Sequence, residues 1–132
     1  MEYLTKKFLV RYCETDQMGI VHHSNYLKYL ELARIEWMEK LNISYSEIES
    51  HGIIMPVVNA NLNFKSPAYF NDYLQIKITL SKPPSAKIIF SYEIQNQFKK
   101  KICIANTTLC FIEKSSMKPI RLPKIFNVFV KN

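Results

Sequence analysis

Glycine is almost missing from this chain, with two in 132 residues, and cysteine is scarce at three. Cys13, Cys103 and Cys110 form no CxxC pair and leave an odd count, which suggests neither a disulfide framework nor a zinc site. Cys103 and Cys110 fall in a strand-like apolar stretch and read as small core residues, and Cys13 reads as a small residue at a strand end rather than a nucleophile. No long uninterrupted apolar run is present, so a membrane-spanning helix is not expected. The opening MEYLTKKFLVRY alternates too strongly for a signal peptide, and a cytoplasmic protein follows by default. Repeats, linkers and low-complexity segments are also lacking. Acidic residues are in deficit, eleven Asp plus Glu against eighteen Lys plus Arg, for a formal net charge of +7 that attracts polyanions. The basic residues are dispersed, with only Lys99 to Lys101 forming a run, and no nucleic-acid motif overlaps them, so a nucleic-acid partner is the weakest reading.

What is present is apolar and patterned. Hydrophobic residues make up 48% and aromatics 13%, which argues against disorder. At this length the chain is most simply one domain, residues 1–132, burying roughly two-thirds of its unfolded surface in one core.

Tyr12 to Arg34, YCETDQMGIVHHSNYLKYLELAR, organises the rest. It brings a carboxylate, Asp16, a flexible Gly19 and adjacent imidazoles, His22 and His23, to a helix start. Ser24 is a suitable N-cap, and Tyr26, Leu30, Ala33, Trp37 and Leu41 step by three and four along one face, which predicts a central helix over Asn25 to Lys40. Leu32 and Ile35 lie outside that stripe, so the helix is expected to meet protein on a second side. A helix N-terminus directs free N–H groups toward an anion or a carbonyl oxygen gaining charge.

Before this segment, Phe8, Val10 and Tyr12 alternate as a first strand. After it, Ser44-x-x-Glu47 matches a capping box and predicts a short helix over Tyr45 to His51 stopped by Gly52. The period then changes to two. Strands are predicted around Val58 to Phe64, Leu74 to Leu80, Ile88 to Ile94 and Ile102 to Ile112, with turns at Pro83-Pro84-Ser85 and Gln95 to Lys100. The tail from Ile125 to Val130 is too short to classify. One strand, a long helix and four meandering antiparallel strands make an α+β domain.

The words in this order resemble the hotdog-fold acyl-CoA thioesterases of the 4-hydroxybenzoyl-CoA thioesterase group, especially the YbgC-like bacterial members. Arg11-Tyr12-Cys13-Glu14-Thr15-Asp16, Gly19-Ile20-Val21, Asn25-Tyr26, Glu31-x-Ala33-Arg34 and Lys118-Pro119-Ile120-Arg121-Leu122-Pro123 carry the resemblance. It implies a hotdog fold, a five-stranded antiparallel sheet wrapped around one long helix, and hydrolysis of an acyl-CoA to free acid and CoA. Asp16 matches the family's catalytic carboxylate, His23 the backbone N–H that polarises the thioester carbonyl, and Tyr12 and the His23 side chain its companions. Gly19, Val21 and Asn25 fall in the same motif and are taken as substrate-binding.

The resemblance also implies a homodimer, often doubled to a homotetramer, with active sites at the subunit boundary. An acyl pocket would then draw on Ile54, Met55, Pro56 and Val57. For the CoA phosphates the candidates are Lys65, Lys82, Lys87 and Arg121. Pro83-Pro84-Ser85 departs from the adjacent basic residues that related enzymes carry at that turn.

A thioester is already activated and needs only a base or nucleophile plus oxyanion stabilisation. Asp16 either attacks the carbonyl or activates water, and His23 positions water or moves a proton. No cofactor is expected beyond the CoA of the substrate. Taken without the motif, Asp16 is a turn residue, Tyr12 a core residue, and His22 and His23 surface or cap histidines; the motif reverses this for Asp16 and His23, while His22 stays structural. His22, His23 and His51 have no H-x-H or HExxH spacing, which argues against a metal. Two other functions compete: a non-catalytic acyl-CoA or acyl-carrier module using the same pocket, and a hydratase, for which Glu31 is the available early helix carboxylate.

Overall fold

The computed structural model describes residues 1–130. Helix α1 runs over Ser24–Lys40 and buries Tyr26, Tyr29, Leu30, Ala33, Arg34, Trp37 and Met38. That stripe lies on an antiparallel sheet of β1 (Glu2–Leu4), β2 (Phe8–Leu9), β4 (Val57–Phe64), β5 (Tyr73–Thr79), β6 (Lys87–Gln95) and β7 (Lys101–Cys110), in the order β1-β5-β6-β7-β4 with β2 also pairing β5. Alternation sets the buried face: Leu74, Ile76 and Ile78 from β5 and Ile88, Phe90, Tyr92 and Ile94 from β6 are all buried. Each such side chain contributes about 2 kcal/mol relative to exposure. A second small sheet joins β3 (Ile53–Ile54), β8 (Ile112–Glu113) and β9 (Lys118–Pro119).

The helix-in-sheet arrangement expected from the sequence is present, with differences of local cause. The main sheet has six strands rather than five, because the N-terminal segment contributes β1 as well as β2. The first strand stops at Leu9, and Tyr12–Glu14 turns into a 3-10 helix. There the Glu14 carboxylate accepts from the Arg11 N–H at 2.8 Å and the Tyr12 carbonyl accepts from the Thr15 N–H and hydroxyl, local bonds that outcompete the ladder. The N-cap of α1 is His23 rather than Ser24, which is already helical. Helix α2 spans Tyr45–Ser50, with the Ser44 hydroxyl accepting from the Glu47 N–H. The strand expected to reach Ile112 breaks after Cys110, and Ile112 joins the small sheet.

The tail forms a 3-10 helix over Lys124–Phe129, and Phe129 stacks edge-on against Trp37 and Phe90, closing the core. Strand β4 differs from its neighbours in being exposed along nearly its whole length on both faces. It pairs β7 on one side, and among the described residues no strand pairs its other edge. No helix is long and apolar enough to cross a membrane among the described residues.

Candidate active site

The loop ahead of α1 is a small closed unit. Thr15 bridges Val21, Ile20 bridges Tyr69, and Gly19 takes φ +77° at the turn between them. Asp16 holds that turn: its N–H donates to the Ile20 carbonyl, its carbonyl accepts from the Gly19 N–H, and Oδ1 accepts from the Met18 N–H at 2.8 Å. Among the described residues Oδ2 has no protein donor. The Asp16 carboxylate is therefore both a turn former and an open acceptor.

The unit is fastened to the helix by Glu14. Its carbonyl accepts from the His22 N–H and from the Asn25 side-chain amide at 2.8 Å, and its carboxylate accepts from the Tyr29 hydroxyl at 3.0 Å. Burial first, then this carboxylate, pushes the Tyr29 phenol well above its ordinary range, so it stays a donor.

Asp16 and His23 meet across a cleft of about 390 Å³. Met18, Ile20, Val21, Tyr26, Phe64 and Pro67 make its apolar walls, with Lys65 and Ser66 at the end of β4. Burial pushes the Tyr26 phenol up to about 12 and keeps it neutral. At the helix start the N–H groups of Asn25 and Tyr26 bond to the His22 and His23 carbonyls, and that of Ser24 to His22 Nδ1. The His23 N–H has no acceptor among the described residues. Asp16, with a free carboxylate oxygen, and His23, with an open N–H at the helix start, thus line one apolar cleft, a suitable environment for a carbonyl that gains negative charge.

Of the residues singled out from sequence, Asp16, Val21, His23 and Lys65 line the cleft, and Gly19 shapes its loop. Asn25 spends its amide on Glu14 instead. Tyr12 stands outside, 77% exposed, with its ring edge-on to Phe70. Ile54, Met55, Pro56, Val57, Lys82, Lys87 and Arg121 belong to the opposite end of the sheet. Val57 pairs with Leu109 and Lys87 with Cys110, whereas Phe64 pairs with Cys103 and so does Ile94. The length of β6 puts these ends roughly 25 Å apart within one chain. Met18, Ile20, Tyr26, Phe64 and Pro67 were not marked as site residues by sequence. The alternation that carries Phe64 to the end of β4 was the available signal. No three-residue group of His, Cys, Asp or Glu that could hold a metal occurs among the described residues.

Residues 10–129 match the model of the thioesterase-like superfamily. The chain belongs to this thioesterase-like superfamily. Within it, the chain is 33% identical over 126 residues to YneP of Bacillus subtilis, covering 96% of this chain and 91% of that one. It is 30% identical over 125 residues to the acyl-CoA thioesterase YbgC of Helicobacter pylori, covering 89% and 92%. Among solved thioesterase structures, the DHNA-CoA thioesterase of Staphylococcus aureus superposes with a TM-score of 0.90 at 32% identity, covering 98% of this chain and 87% of that one.

Proposed function

We propose that the protein hydrolyses the thioester of an acyl-CoA to a free acid and CoA. The observation that carries this is the cleft lined by both Asp16 and His23, the latter with an open N–H among the described residues, in a chain of the thioesterase-like superfamily. The thioester carbonyl oxygen lies at the His23 N–H, and Asp16 Oδ2 serves the carbonyl carbon. By one route Asp16 attacks, CoA leaves as the thiolate, and water hydrolyses the mixed anhydride. By the other it takes the proton of a water molecule that attacks directly. A thioester needs no further activation, so the reaction as proposed uses no metal or cofactor beyond the CoA of its substrate.

The proposed active form is a dimer, itself able to double to a tetramer. The free edge of β4 favours pairing with a second copy, and a two-fold axis makes that pairing antiparallel. Such pairing lays the Ile54–Val57 end of one copy beside the Asp16 cleft of the other. The residues that one chain separates by the length of its sheet then join: apolar acyl contacts from Ile54 to Val57, and CoA phosphate contacts from Lys65 of one copy with Lys82, Lys87 and Arg121 of the other.

Thiol release by the purified protein from a panel of short-chain, long-chain and aromatic acyl-CoAs tests the reading. Asp16→Asn is nearly isosteric and is expected to fold while losing kcat by about two to four orders of magnitude. His23→Ala keeps its backbone N–H and loses less, and Lys82→Ala mainly raises KM. A folded Asp16→Asn protein hydrolysing at the parental rate would move the non-catalytic binding module ahead.

A further inference from the structure

The reaction as proposed leaves one imidazole at the helix start without a task, and it is closely tied into the turn. His22 Nδ1 lies 3.2 Å from the Ser24 N–H and 2.8 Å from the Ser24 hydroxyl oxygen. A backbone N–H only donates, so Nδ1 carries the lone pair and the ring proton resides on Nε2. The His22 carbonyl accepts from the Asn25 N–H at 2.9 Å, and its own N–H donates to the Glu14 carbonyl at 2.9 Å. Its ring lies against that of His23, with centroids 4.2 Å apart and planes 30° from parallel. The N-cap residue itself, His23, makes no side-chain cap bond.

We propose that His22 is a positioning residue that acts through His23, an inference that rests on the acyl-CoA hydrolysis reading. Orphan donors at a helix start compete for any acceptor that approaches. By absorbing the Ser24 N–H with its side chain and the Asn25 N–H with its carbonyl, His22 leaves the N–H of His23, a residue that lines the cleft, as the open backbone donor of the helix start among the described residues. It also holds the turn that aims this donor. The effect belongs to the transition state, in which the carbonyl oxygen becomes an oxyanion, and therefore to kcat rather than KM.

Three variants separate the acceptor from the ring. Asparagine readily bonds the backbone N–H two residues on, so His22→Asn restores the cap without the stack. His22→Phe keeps the stack without the cap, and His22→Ala removes both. Kinetics of thiol release are expected to show kcat within about twofold of parental for His22→Asn and lowered about tenfold for His22→Phe and His22→Ala, with KM little changed in all three. Long-range proton–nitrogen NMR of the parental protein is expected to show the His22 proton on Nε2. A folded His22→Phe enzyme with parental kcat, an equal loss in His22→Asn and His22→Phe, or a proton on Nδ1 overturns the inference while hydrolysis stands. A parental protein that releases no thiol from any acyl-CoA of the panel overturns the hydrolysis reading and this inference with it.

Discussion

Arg34 donates from Nη1 to the Tyr92 hydroxyl at 3.0 Å, across the interface between α1 and β6. Arg34 is 4% exposed, its nearest carboxylate, Glu31, is 4.0 Å away, and its Nε has no partner among the described residues. Tyr92 bonds in turn to the Thr107 hydroxyl. A buried cation held mainly by neutral groups is stabilised less by charge than by packing and by satisfying those groups. Arg34→Ala is expected to cost about 3 kcal/mol, because it opens space and strips Tyr92 of a donor. Arg34→Met fills the space and removes the desolvation penalty of the ion but also strips Tyr92 of its donor, so it is expected to cost only about 1 kcal/mol. Urea unfolding midpoints of the two variants measure the difference.

Gly19 tests the loop through its backbone. No atom lies within 4 Å of where a Cβ would stand, so only its φ of +77° requires glycine. Gly19→Ala is expected to cost about 1–2 kcal/mol, and Gly19→Asn much less, because asparagine accepts the left-handed conformation. If the turn also aims Asp16, kcat falls with Gly19→Ala and recovers with Gly19→Asn. Thermal unfolding and steady-state kinetics on the same preparations check both.

Stability above pH 10 is expected to fall more steeply than in a protein with exposed tyrosines. Burial and the Glu36 bond raise Tyr3 to about 12, burial raises Tyr26 to about 12, and burial raises Tyr29 and Tyr92 as well. Groups whose folded pKa exceeds the unfolded value of 10.0 bind more protons folded than unfolded. Their contribution is complete below pH 10 and is lost as pH climbs through the folded values. Denaturant titrations from pH 8 upward, followed by tyrosinate absorbance, give the slope; a flat profile between pH 10 and 11 contradicts it.

Elements with a clean period were legible in the sequence. The three-and-four spacing of Tyr26, Leu30, Ala33 and Trp37 placed α1 within a residue of its observed start, and the alternation of Val58 to Phe64 placed β4. The break after Leu9 was hidden, because alternation through Tyr12 masks bonds that Glu14 and Thr15 make to nearby backbone. The cap was assigned to Ser24 on residue type, whereas the imidazole two residues earlier takes that N–H. For the site, the T-D-x-x-G-x-V motif located the loop, and Asp16, Val21 and His23 do share a cleft. Residues from Ile54 to Val57 and the lysines beside the proline turn were marked as members of the same site, and within one chain they are not. Pattern along a chain carries no information about which sheet end faces which across a two-fold axis.

Self-association is expected at micromolar concentration, measured by light scattering. Leu27 and Leu32 on α1 remain 48% and 56% exposed, and Val57 and Val58 on β4 45% and 51%. Val58→Lys puts a charge on that edge and is expected to yield monomer with hydrolysis lost. Monomer with parental activity would show that one chain suffices.

The distance between the two groups of site residues has a genetic consequence. If each catalytic centre draws its carboxylate from one chain and its phosphate-binding lysines from the other, two different inactive chains repair each other. An Asp16→Asn chain supplies intact lysines, and a chain carrying Lys82→Glu with Lys87→Glu supplies an intact Asp16. Co-refolding them, or expressing both in one cell, regenerates a working centre on one side of each mixed pair and a doubly defective one on the other. Complementation of this kind does not arise when every centre is built from a single chain.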